Sequence, residues 1–187
     1  DRMITISRAK YSVEYPSNFT LIGAMNPCPC GYYNHPTKEC TCQPFSIHRY
    51  FSRISGPLLD RIDMHIEVVP VSLSEINGEQ VEESSAEIRK RVIAAREIQS
   101  QRFRGTAIHS NAMMNSAMLR KFCPLSGDVR ALLESAMSRL NLSARAYDRI
   151  IKVARTIADL AGEANITATH IAEAINYRTL DRDSWGR

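Results

Sequence analysis

The sequence predicts an α/β segment followed by an all-α bundle, mainly helical overall. Three observations lead there: period-two alternation near the start, a continuous apolar run ended by Asn26-Pro27, and helical apolar periodicity after residue 84. In RMITISRAKYSVEY (2–15), Ile4 and Ile6 on one arm and Val13 and Tyr15 on the other predict a hairpin around Arg8-Ala9-Lys10, closed by Pro16. FTLIGAM (19–25) has the continuous apolar character of a strand covered on both faces in a parallel sheet. Beyond a cysteine-rich loop, helices are expected at 44–52 and 55–61, with Pro57 in a first turn that tolerates it. IDMHIEVVP (62–70) alternates Met64, Ile66 and Val68 against Asp63, His65 and Glu67, and reads as a half-exposed strand.

Asn77-Gly78 and the nearby acidic residues mark 71–83 as a polar linker. After it, Ser84 and Glu87 form a capping box, with Ile88, Val92, Ala95 and Ile98 as an apolar stripe and Gly105 as a stop. Val129, Leu132, Leu133, Ala136, Met137 and Leu140 share one helix face. A third helix runs from the cap Ser143 to Gly162, and a fourth starts at Thr167. The expected organisation is thus 1–70 α/β, 71–83 linker, 84–180 a four-helix bundle and 181–187 a tail.

Composition narrows the class without naming it. The 187 residues are 44% apolar and 24% charged, with 24 Lys and Arg against 20 Asp and Glu. That is ordinary for a globular protein, and +4 permits a polyanionic partner without requiring one. No secretory signal or long apolar span is seen, so a cytoplasmic location is the default. The chain starts with strand-like alternation and no initiator Met, and is expected to be a fragment.

Several residues could carry chemistry. Asn26 ends an apolar strand, where a neutral amide can contact a phosphate or orient water; it can equally open an Asn-Pro turn. Arg61 stands at a helix-to-strand corner, fit for a surface ion pair or for reaching a neighbour's phosphate. Arg145 lies in a first helical turn, where the macrodipole opposes a cation unless an anion is gripped there as well; the alternative is a solvated arginine. Cys28, Cys30, Cys40 and Cys42 offer four thiolates for a structural Zn²⁺, or free thiols in a surface loop. His35 and His48 are read as bystanders, and Cys123 as a small buried hydrophobe. Arg8 and Lys10 at the hairpin tip are candidates for a nucleic-acid backbone, while Arg89, Lys90, Arg91, Arg96, Arg102 and Arg104 read as a solvated face.

ITISRAKYSVEYPSNFTLIGAMNPCPCG, RISGPLLDRID and LSARAYDRIIKVARTIADLAG, with ITATHIAEAINYR near the end, together resemble the C-terminal part of the Mg-chelatase-like AAA+ ATPases of the ComM/YifB type. The likeness covers the chain to about Asp181. It implies an incomplete AAA+ P-loop core followed by a helical lid, within an oligomeric ring of hexameric type. By resemblance, Asn26 matches sensor 1, Arg61 the arginine finger offered to the next subunit, and Arg145 the sensor 2 arginine of the lid. The hairpin resembles the one preceding sensor 1, and the implied activity is ATP hydrolysis with Mg²⁺ coupled to DNA remodelling.

The sequence also departs from the family. It contains neither G-x4-G-K-[ST] nor an apolar strand ending in Asp-Glu, so this chain is expected to be inactive alone. Two other readings stand beside the DNA motor: a chelatase motor subunit for porphyrin metallation, and a non-catalytic zinc-supported module that binds DNA or protein.

Overall fold

The computed structural model describes residues 3–71 and 83–178. Among them are one two-stranded sheet and seven α-helices. Strands β1 (Met3–Arg8) and β2 (Tyr11–Pro16) pair antiparallel, with Ile4 opposite Tyr15 and Ile6 opposite Val13, as the alternation predicts. Ala9 makes the turn at φ 49°, a left-handed conformation that costs an alanine more than a glycine. The apolar face of this hairpin is open: Ile4, Ile6, Val13 and Tyr15 are each 45–56% exposed.

The two longer strand expectations are not met. Residues 19–25 and 62–70 form no strand, and Ile22 and Val68 are 90% and 85% exposed. A strand needs lateral partners for its N–H and C=O groups, and the only described pairing is β1 with β2. The apolar runs remain; the neighbours that would turn them into strands are not among the described residues.

Helices α1 (Pro44–Phe51) and α2 (Gly56–Arg61) agree with expectation, each with a proline in its first turn. Most of the 71–83 linker and the 181–187 tail lie outside the described residues. Helix α3 (Ser85–Arg102) is capped by Ser84, whose hydroxyl accepts the Glu87 N–H at 3.3 Å. Of its expected stripe only Ala95 is buried and Ile98 half-buried, beside the buried Gln99, whereas Ile88 and Val92 are 44% and 45% exposed. A 3₁₀ turn (Asn111–Met113) and α4 (Ser116–Phe122), neither expected, precede α5 (Gly127–Arg139). The helical part therefore has five helices rather than four.

Helix α6 (Ala144–Leu160) is the centre of the packing, and α7 (Ala168–Asn176) lies against it. Gly162 at φ 71° ends α6: its N–H reaches the Asp159 carbonyl and the Glu163 N–H reaches that of Ala158 at 2.8 Å, a Schellman closure. The core joins Leu133 of α5, Ile150 and Ala154 of α6, and Ile171 and Ala174 of α7 to Phe103, Met114 and Leu119.

Candidate functional site

The expected site residues occupy three places. Arg8 and Lys10 lie exposed at or beside the hairpin turn. Asn26 is exposed two residues before Cys28, which is fully buried. Arg61 and Arg145 are exposed on separate helices, α2 and α6, that the fold places in contact. No described hydrogen bond or ion pair joins Asn26 to either arginine.

Arg61 and Arg145 are brought together through their neighbours. Ser143, the cap of α6, accepts the Ala146 N–H at 3.1 Å and donates its own proton to Asp60 Oδ1 at 2.6 Å. Arg149, one turn after Arg145, pairs with Asp63. Arg178, just beyond α7, is 1% exposed; it donates to the carbonyl of Ile62 and lies 3.9 Å from the Asp60 carboxylate. A cleft of about 580 Å³ opens alongside, lined by Arg145, Arg149 and Lys152 with Asp63, Asp148 and Tyr177 among others. Its basic side chains follow one face of α6 at i, i+4 and i+7.

The cysteines converge as expected. The sulfurs of Cys28, Cys30, Cys40 and Cys42 all lie within 4.8 Å of one another, with Cys28 3.3 Å from Cys30 and 3.7 Å from Cys40. These separations are far beyond a disulfide bond and near the roughly 3.8 Å edge of a tetrahedron with metal–sulfur bonds of about 2.3 Å. Four thiols at such spacing fit a tetrahedral metal ion. Gly31 at φ 84° and its N–H bond to the Cys28 carbonyl fold the first pair about the centre. A hydrogen bond from the Tyr32 backbone, helped by the thiol of Cys28, pulls Cys30 down to about 5. At Cys40 the bond from the Cys42 backbone also lowers the pKa, but burial and the adjacent Cys30 and Cys28 outweigh it and push the thiol up to about 12. That division is the expected result of crowding several ionisable sulfurs together. His35 is not in this cluster: its Nδ1 accepts the backbone N–H groups of Thr37 and Lys38.

Two family models divide the sequence between them. Residues 1–76 match magnesium chelatase subunit ChlI, and residues 82–178 match the C-terminal part of the same subunit. The chain belongs to the magnesium chelatase ChlI family. Among individual proteins it is 43% identical over 181 residues to competence protein ComM of Haemophilus influenzae. It is 41% identical over the same length to YifB of Escherichia coli and 35% identical over 179 residues to the Mycobacterium tuberculosis protein Rv2897c. Each alignment covers 95–96% of this chain and 34–35% of the relative, so the chain spans about a third of the length of these relatives.

The ChlI-family bundle also holds a buried polar cluster that sequence reasoning missed. Asp159 accepts Arg102 Nη1 at 2.7 Å, Arg155 Nε at 3.0 Å and Asn111 Nδ2 at 2.7 Å. Arg102 is therefore no part of a solvated basic face: its side chain is 13% exposed and bound to a carboxylate at 0%. Lys90 and Arg91 do pair outside, with Glu87 and Glu83. The i, i+4 spacing of Arg155 and Asp159 was a sequence signal for part of this cluster. Cys123 is buried as expected, and burial pushes its thiol up to about 11. No helix among the described residues is long and apolar enough to cross a membrane.

Proposed function

We propose that the chain is the C-terminal portion of a ring-forming, cytoplasmic AAA+ motor of the Mg-chelatase-like type, coupling ATP hydrolysis to DNA remodelling. Residues 1–70 belong to its nucleotide-binding core and 84–180 to its lid. Asn26 orients the attacking water, Arg61 reaches the nucleotide of the next subunit, and Arg145 contacts nucleotide from the lid. Arg8 and Lys10 meet the DNA backbone at the hairpin tip. Phosphate binding and Mg²⁺ coordination fall to parts of the protein outside this sequence, which lacks the glycine-rich loop. When zinc is bound, Cys28, Cys30, Cys40 and Cys42 hold it, and it supplies a structural cross-link directly after Asn26 rather than a reacting centre.

The observation that carries this reading is Arg61. Its side chain is exposed and makes no hydrogen bond or ion pair with any described residue, contrary to the surface ion pair that such an arginine usually forms. In the full-length protein, Arg61→Ala should leave ATP binding intact and lower hydrolysis by about a thousandfold, the scale of an arginine finger. Near-normal turnover by that variant would refute the assignment.

The ChlI family description favours a second reading, a motor subunit serving porphyrin metallation. ATPase stimulation by DNA supports the first reading, and stimulation only by a porphyrin-chelating partner supports the second. The four-cysteine cluster keeps a third reading in view, a zinc-supported binding module without catalysis; salt-dependent DNA binding with no ATPase in the full-length protein would favour it.

A further inference from the structure

Arg61 is uncommitted, yet the chain on both sides of it is fastened to α6 and to the end of α7. Asp60 Oδ1 takes the Ser143 proton at 2.6 Å and faces Arg178 at 3.9 Å. Arg178 also holds the Ile62 carbonyl, Arg149 holds Asp63, and the His65 N–H donates to the Tyr177 carbonyl at 2.6 Å. Every one of these partners lies between Ser143 and Arg178. Fixing the flanking backbone limits the conformational entropy that an exposed arginine loses when it engages a phosphate.

Resting on the assignment of Arg61 as the finger and Arg145 as the lid contact, we propose that Asp60 is a positioning residue that couples the two. Asp60 precedes Arg61 by one residue and Ser143 precedes Arg145 by two, so their hydrogen bond is the link nearest to both arginines, with the Arg149–Asp63 pair one turn further along α6. The cap of α6 uses a lone pair of the Ser143 oxygen, which leaves the hydroxyl proton for Asp60. A shift of α6 on nucleotide binding in one subunit is thereby carried to Arg61, and through it to the nucleotide of the neighbouring subunit. Asp60 itself touches no reacting atom.

The test uses full-length Asp60→Ala protein, alone and in rings mixed with a second full-length variant whose phosphate-binding-loop lysine is replaced. That second variant hydrolyses nothing but retains a correctly held Arg61. Rings of Asp60→Ala alone should lose about tenfold to a hundredfold in kcat, the scale of a displaced catalytic group, with ATP affinity retained. Mixed rings should regain hydrolysis, because the inactive neighbours present Arg61 to the intact sites of the Asp60→Ala subunits. Ser143→Asp retains an N-cap acceptor but sets a second carboxylate against Asp60, so it should show the same loss and recovery; it carries the test if Asp60→Ala does not fold. Unchanged turnover, or a loss that mixing does not repair, overturns the proposal. Arg61→Ala measured in parallel separates the two levels: normal hydrolysis there defeats the finger assignment itself, whereas a repairable loss there beside normal Asp60→Ala turnover defeats only the coupling.

Discussion

Replacing Asp159 with alanine removes the acceptor shared by two guanidinium groups inside the helical part. Arg102, Arg155 and Asn111 all lose a bond at a carboxylate with no exposure. Removing one partner of a buried pair costs about 3–5 kcal/mol, because a charge is left uncompensated. Some compensation survives here: Arg102 retains the Asn111 oxygen at 2.8 Å, and Arg155 retains the carbonyls of Ala164 and Glu163 at 2.7 and 2.6 Å. The expected loss is therefore near the lower end, about 3 kcal/mol, or roughly 10–25 °C in Tm for a unit of about 100 residues. Urea and thermal unfolding followed by circular dichroism measure it directly.

The pH dependence has a definite sign. Burial raises the Asp159 pKa, but hydrogen bonds from Arg102 and Asn111 and the two guanidinium charges outweigh it, so the carboxyl is held below its usual value. A depressed folded-state pKa gives stability that is present above the unfolded value of about 3.9 and is lost as pH falls through the folded value. The gap between the native chain and Asp159→Ala should accordingly narrow in acid. A loss under about 1 kcal/mol at neutral pH, with unchanged denaturant slope, would refute the view that this cluster ties α3 to α6.

Two further outcomes are expected. Purified protein should carry about one equivalent of zinc, and Cys28→Ser should lower that content sharply; metal analysis with thiol titration decides it, and four freely titrating thiols without zinc would defeat the site. Ile150→Ala, at a fully buried position on α6, should cost about 2–5 kcal/mol in urea unfolding.

What the sequence disclosed depends on how local each feature is. The hairpin was legible because its register follows from alternation across two turn residues. Helices α5 to α7 were legible from caps and apolar spacing, whereas the seven residues of α4 are too few to display a period. Asn115 before it and Cys123-Pro124 after it were the available punctuation. The strands expected at 19–25 and 62–70 failed because strand formation depends on neighbours, not on the run itself. The cysteine cluster was legible from spacing alone. Asp60 with Ser143 and Arg102 with Asp159 are 83 and 57 residues apart, and no local pattern couples such pairs.

The bond between Asp60 and Ser143 also changes what counts as an interchangeable part of this protein. A chimera joined within 71–83 would look natural on the sequence, yet it would take Ser143, Arg149 and Arg178 from one parent and Asp60, Ile62 and Asp63 from the other. The seam that respects the contacts falls before Ser55, so that α2 travels with the bundle it is fastened to. Covalent order and mechanical order divide this chain at different places.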